Sequence, residues 1–160
     1  MNSMANLSDL FLRLSNPLYR YAYSRLGSKA EAEEAVQDVF LALLKKRSAT
    51  SLEDSYLFTA LRNRCTDLLR RRSRELRFDW VREEELDEID RDRWLSAQKA
   101  MRDLPEEQLE VLVLRSLCGL TLAEVAAVQA VPLNTVASRH RYALEHVRAR
   151  LQTKSLEVAQ

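Results

Sequence analysis

The chain has 160 residues, 46% of them hydrophobic, with only two Gly and three Pro and a formal net charge of +1. That length holds one ordinary domain or two small ones, and so few helix breakers point to an all-α protein. The balanced charge excludes a uniformly basic nucleic-acid coat. No run of 18 apolar residues and no charged-then-apolar leader is present, so the expectation is a soluble cytoplasmic protein without stable membrane insertion. Cys65 and Cys118 stand apart from each other and from any His cluster, which reads as reduced structural thiols, with no metal and no cofactor expected. With no Gly-rich phosphate loop and no Ser/His/Asp set, no catalytic residues are expected either.

Residues 1–6 read as loose. From Leu7 to Leu26 the apolar positions Leu10, Leu14, Leu18, Tyr21, Ala22 and Leu26 follow a helical period, with a break or kink expected near Asn16-Pro17 and a stop at Gly27. Ser28-Lys29-Ala30-Glu31 is a capping box that launches a second helix to about Lys46. Ala32, Val36, Val39, Phe40 and Leu43 form its core stripe, while Glu34, Gln37, Asp38 and Leu41 share another face. An apolar Leu41 ringed by charge suits a docking patch as well as a solvated acidic surface.

A polar connector over residues 45–55 leads to a helix at about 53–74, whose stripe is Leu57, Leu61, Cys65, Leu68 and Leu69. Its opposite face shows Tyr56, Thr59, Arg62, Asn63, Thr66 and Arg70, and seven Arg against two acids fall between Arg62 and Arg77. Arginine for phosphate, a ring for stacking and an amide for a base edge together suit a single strand. A basic helix end favourable to the macrodipole accounts for the same charges without a ligand. The stretch from Glu75 to Asp92 carries nine acids against three Arg and reads as a solvated linker, with Phe78, Trp80 and Trp94 as its apolar anchors.

Beyond it a helix runs from Arg91 to Arg102. Leu104-Pro105-Glu106 opens the next, which extends to Leu117 before Cys118-Gly119-Leu120-Thr121. Gly119 suits a left-handed helix end, Thr121 and Glu124 form a further capping box, and Pro132 suits a first turn. A short helix to Gln129 and a long one from about Leu133 then make a helix-turn-helix with an Arg-rich second member. On that last helix Val136, His140, Ala143, Leu144, Val147 and Leu151 face the core. Asn134, Ala137, Ser138 and Arg141 face outward, and Thr135, Arg139 and Tyr142 lie beside them. His140 and His146 are six apart, the wrong spacing for a shared metal.

The block Ala32 to Phe40, with Tyr56 to Arg71, resembles region 2 of bacterial sigma factors, and Leu104 to Leu151 resembles region 4. Only these two regions, joined by a short linker, is similar to the extracytoplasmic-function group. The resemblance implies two small helical domains, 7–74 and 93–152, around an acidic linker at 75–92. It implies that Glu34, Gln37, Asp38 and Leu41 meet the β′ clamp helices of core RNA polymerase, with the β flap a second polymerase contact. It implies a specificity loop from Lys46 to Glu53, and Lys46, Tyr56, Arg62, Asn63, Arg64 and Arg70 along the opened −10 element. The −35 duplex would fall to Asn134, Thr135, Ser138, Arg139, Arg141 and Tyr142, and an anti-sigma factor would be a further partner. The chain departs from the pattern at Ala130 and Asn134, where Gly is common, and at Ala137 and Tyr142, where basic residues are common. The competing reading is a stand-alone helix-turn-helix regulator binding duplex DNA, which would need neither the acidic face nor the strand-binding face.

Overall fold

The computed structural model describes residues 2–46, 53–72 and 88–158. Within them lie α1 (Asn2–Leu26), α2 (Lys29–Lys46), α3 (Asp54–Arg72), α4 (Glu88–Arg102), α5 (Glu106–Leu112) continuing into a π-helical turn (Val113–Leu117), α6 (Leu122–Gln129) and α7 (Leu133–Val158). Helices α1, α2 and α3 pack on one another, and α4, α5 and α6 all pack on α7. Two further contacts tie the halves together, α3 on α6 and α1 on the π turn.

The helix ends have local causes. Gly27 takes φ +64° and donates its N–H to Tyr23 O, closing α1. Ser28 Oγ then accepts from Glu31 N–H at 3.4 Å, and Thr121 Oγ1 accepts from Glu124 N–H at 3.2 Å to start α6. Gly119, at φ +74°, lets Leu120 N–H reach back to Leu114 O. Ala130 ends α6 in the left-handed conformation at φ 54°, one residue before the turn into α7. A Cβ makes that conformation costly, by about 1–2 kcal/mol.

The expected stripes are buried: Leu14, Leu18, Tyr21, Ala22 and Leu26 of α1, the five core positions of α2, and Leu57, Leu61, Cys65 and Leu69 of α3. Phe58, absent from the expected α3 stripe, is also fully buried. Four expectations need correction. Residues 2–6 are helical, and α1 runs through Pro17 without a break. The stripe from Leu14 to Leu26 spans the proline, so continuous packing offsets its missing hydrogen bond, a loss of about 3 kcal/mol in an isolated helix. Helix α4 begins at Glu88, inside the stretch expected as linker. The last turns before Leu117 are π-helical, with Cys118 N–H donating to Val113 O at 3.1 Å. Residues 47–52 and 73–87, which hold most of the expected specificity loop and linker, lie outside the described residues, as does the side chain of Trp94.

Candidate nucleic-acid interface

The outer face of α2 is half apolar. Glu34 and Gln37 are exposed, and Leu41 and Leu44 beside them are 53% and 51% exposed. Leu41, Leu44 and Phe40 join Leu7 and Phe11 of α1 around an open depression of about 460 Å³. Asp38 points away from it. Its Oδ2 accepts from Arg64 Nε at 2.9 Å and pairs with Arg64 Nη2 at 2.8 Å, bridging α2 to α3. Three of the four expected docking residues therefore share one surface, and Asp38 stands on the ridge behind it.

Across that ridge lies a cleft of about 270 Å³ between α2 and α3, lined by Asp38, Lys46, Tyr56, Asn63 and Arg64 among others. Lys46 Nζ donates to Tyr56 Oη at 3.2 Å and sits 5.9 Å from the ring centroid. Tyr56 nonetheless keeps 40% of its surface open, and Asn63 is exposed one turn below Ala60. Arg70 is exposed two turns further along the helix. Four of the six expected strand-binding residues thus meet at one concave site, with a ring, an amide and cations in reach of one another. Such a set can hold an unstacked base against a neutralised phosphate.

Arg62 does not join them. It turns to the other half of the molecule, where its Nε and Nη2 donate to Glu110 Oε1 and Oε2 at 2.8 and 3.2 Å. Glu110 on α5 is 1% exposed and collects further donors: Tyr21 Oη at 2.7 Å, Arg25 Nη1 at 3.0 Å and Gln129 Nε2 at 2.9 Å. Burial alone would raise this carboxyl, but the bonds from Arg62 and Tyr21 and the charges of Arg62 and Arg25 outweigh it and hold it below its ordinary value. Tyr21, fully buried beside it, is pushed well above the usual phenol range by burial and by the Glu110 charge. Sequence reading passed over both Glu110 and Arg25. The available signal was Glu110 standing three and four residues before Val113 and Leu114, on the apolar stripe of its own helix.

On α7, Asn134, Ala137, Arg141 and Tyr142 are exposed, while Thr135, Ser138 and Arg139 are half-buried. Arg141 lies 5.1 Å from the Tyr142 ring centroid. Arg139 Nη1 donates to Gln129 Oε1 at 3.0 Å, and through Gln129 it joins the Glu110 network. His140 is held below its ordinary value by burial and by Arg115, so it carries no charge to this surface near neutrality. Cys65 and Cys118 are both pushed up to about 12 by burial, which makes them poor nucleophiles.

Two family models match the chain, Sigma-70 region 2 over residues 10–75 and Sigma-70 region 4 over residues 100–149. Among similar proteins is the ECF RNA polymerase sigma factor SigE of Mycolicibacterium smegmatis, 28% identical over 99% of this chain and 66% of that protein. Another is the ECF RNA polymerase sigma factor BldN of Streptomyces coelicolor, 32% identical over 79% of this chain and 54% of its own length. The chain therefore spans between about half and two thirds of these relatives. Of solved structures, the sigma factor RpoE in complex with the anti-sigma factor NepR from Bartonella quintana superposes with a TM-score of 0.70 at 23% identity, covering 91% of this chain and 95% of that one. CnrH in complex with the cytosolic domain of CnrY gives 0.67 at 21% identity, covering 92% and 88%. Those two likenesses establish the shared fold.

Proposed function

Because the chain belongs to the sigma-70 family, carrying regions 2 and 4, we propose that it binds core RNA polymerase and directs promoter-specific initiation in the manner of an extracytoplasmic-function sigma factor. It needs no reaction of its own for this role. The observation that carries the reading is the cleft where Lys46, Tyr56, Asn63 and Arg64 meet, on the same chain as a helix-turn-helix whose second member exposes Asn134 and Arg141. The cleft takes a base lifted out of the −10 duplex. Lifting it costs a few kcal/mol, which stacking on Tyr56 at about 1–3 kcal/mol and phosphate contacts from Lys46 and Arg70 offset. Helix α7 reads the −35 duplex, Arg141 being the side chain able to make a two-pronged guanine contact.

The apolar face of Leu41 and Leu44, edged by Glu34 and Gln37, is the surface we assign to the β′ clamp helices, and region 4 meets the β flap. An anti-sigma factor is a further partner, a reading supported by the RpoE–NepR and CnrH–CnrY complexes. A stand-alone regulator of duplex DNA would have no use for the α2–α3 cleft.

Run-off transcription with core polymerase over a promoter library tests the assignment. Discrete products that require this chain are expected. Their absence, with the protein folded and polymerase active on its usual factor, would overturn it.

A further inference from the structure

Helix α7 carries an exposed row that packing does not explain. Val136 and Ala143 are fully buried and fix which side of the helix meets the core. Beside that side, Leu133, Ala137 and Arg141 recur every four residues, about one turn apart, and all three are exposed. Leu133 keeps 50% of its surface open at the first position of the helix. A lone exposed leucine is ordinary on any protein surface. This one stands in line with a second apolar side chain and then a guanidinium, at the end of a helix-turn-helix second helix that meets base edges.

We infer that Leu133 and Ala137 are specificity-determining residues that select thymine, through its C5 methyl group, at two positions of the −35 duplex beside the guanine read by Arg141. The inference rests on the proposed function, since α7 must lie in the major groove. Neither side chain holds a donor or an acceptor, so neither can tell adenine, guanine or cytosine by hydrogen bonds. The thymine methyl is the one apolar group that base pairs present in that groove. A phosphate set against Leu133 would instead lose hydration to a side chain that returns no hydrogen bond. Ala137 adds reach: with nothing beyond its Cβ, it lets α7 approach base edges that a longer side chain would hold away.

The row from Leu133 to Arg141 rises about 12 Å, the height of roughly three to four base pairs at about 3.4 Å each. Two thymines, on either strand, are therefore expected within about four base pairs of the guanine. Each buried methyl should be worth about fourfold in affinity, equivalent to about 0.8 kcal/mol. Uracil lacks only that methyl and keeps every hydrogen-bonding edge of thymine, so the change can be made in the DNA alone. The −35 elements recovered from the run-off library are resynthesised with deoxyuridine for each thymine in turn, the rest of the promoter unchanged. Occupancy by core polymerase carrying the full chain is then titrated by gel shift. Two thymines are expected at which uracil weakens occupancy about fourfold. Leu133→Ala should bring the loss below about twofold at one of them and leave the other, and Ala137→Gly should do the converse. Glycine inside a helix lowers stability. Should Ala137→Gly fail to fold by circular dichroism, Leu133→Ala, at an exposed first position, decides alone.

Recovered elements without thymine, or occupancy unchanged by uracil, overturn the inference. A uracil loss that persists at full size in the folded variants gives the methyls to other side chains and overturns it equally. The transcription reading fails separately, by yielding no run-off product. In that event two random duplex pools, one with thymine and one with uracil throughout, are titrated at low salt against the full chain alone, in which Leu133 and Ala137 are already exposed. Equal affinity for the two pools overturns the methyl contact, and a preference for thymine that Leu133→Ala removes sustains it without polymerase.

Discussion

Helix α3 offers two arginines to two carboxylates, and the two pairs obey different physics. Arg64 meets Asp38 where the side chains keep 28% and 39% of their surface in water. Arg62, two residues earlier, meets Glu110, which keeps 1%. The first pair exchanges one hydrated state for another, and such pairs contribute about 0–1 kcal/mol. The second has given up hydration of the carboxylate altogether and is stable only because four neighbours supply its hydrogen bonds. Losing one member of such a cluster leaves a buried charge uncompensated. What separates the half-exposed ion pair within one half from the buried one between the halves is therefore burial, a property of the partner helix rather than of α3.

The sharpest way to break this comparison is Glu110→Ala. It leaves Arg25, already 3% exposed, with only the Tyr21 hydroxyl at 2.9 Å and the more distant Glu106 carboxylate at 3.6 Å, and it removes the acceptor of Arg62, so a loss of about 3 kcal/mol is expected from the cooperative unfolding of the whole chain. The loss has a ceiling, because Arg25 and Arg62 are rehydrated once the halves separate. Urea unfolding should consequently begin earlier and split into two transitions, one for each half. A single transition shifted by less than about 1 kcal/mol would place Glu110 in the same class as Asp38.

Acid provides a second and smaller lever. The Glu110 carboxyl lies below its ordinary value in the folded chain, despite burial, because Arg62, Tyr21 and Arg25 favour its anion. A group depressed on folding stabilises the fold above its unfolded value, about 4.3 for glutamate, and loses that contribution as pH falls towards the folded value. The stability gap between the natural chain and Glu110→Gln should thus be full at pH 7 and should narrow steadily below about pH 4.3. Urea midpoints measured from pH 7 down to pH 3 test this, and a gap that stays constant to pH 3 would contradict the depressed carboxyl.

How much of this was readable from the residues alone follows the same division. Caps act over three or four residues, so Gly27, Ser28 with Glu31, and Thr121 with Glu124 mark true boundaries, and the core stripes of α1, α2 and α3 are local periodicities. That Tyr56 and Asn63 come together in the α2–α3 cleft was also legible, because seven residues put them on one face of one helix. Pro17 misled because its penalty is local while the packing that overrides it, from Leu14 to Leu26, is tertiary. Glu110 was missed for a related reason. Its partners Tyr21, Arg25 and Arg62 are 89, 85 and 48 residues away, and no spacing rule reaches that far. Arg62 and Asn63 are adjacent in sequence, yet about 100° of helical turn sends one to Glu110 and the other to the cleft.

Ala130 gives a smaller effect and a change of sign. It stands at φ 54°, where its Cβ is strained by about 1–2 kcal/mol, and it ends α6 just before the turn into α7. Ala130→Gly relieves the strain but adds about 0.5–1 kcal/mol of unfolded-state entropy. A net gain of about 0.5 kcal/mol is expected, seen as a modest rise in thermal midpoint. A fall would mean that the methyl group contributes packing that outweighs its strain.

The smallest stability effect belongs to Asp38, and it sharpens the comparison by separating a fold role from a docking role. Asp38→Asn keeps the shape and an acceptor oxygen for Arg64 while removing the charge. With both partners partly in water, unfolding free energy should change by less than about 0.5 kcal/mol. Asp38→Arg is the more severe change. It sets two cations facing each other, but Arg64 and the new side chain can both swing into solvent, so the cost to the fold should remain near 1 kcal/mol. Its effect on polymerase should be far larger, since it reverses charge on the ridge beside Leu41 and Glu34. Size-exclusion of each variant with core polymerase, alongside urea unfolding, reads the two quantities separately. The expected pattern is near-natural stability for both variants, with co-elution weakened for Asp38→Asn and abolished for Asp38→Arg. Undiminished co-elution of Asp38→Arg would confine Asp38 to its bridge with Arg64 and leave docking to Leu41, Leu44 and the apolar depression beside them.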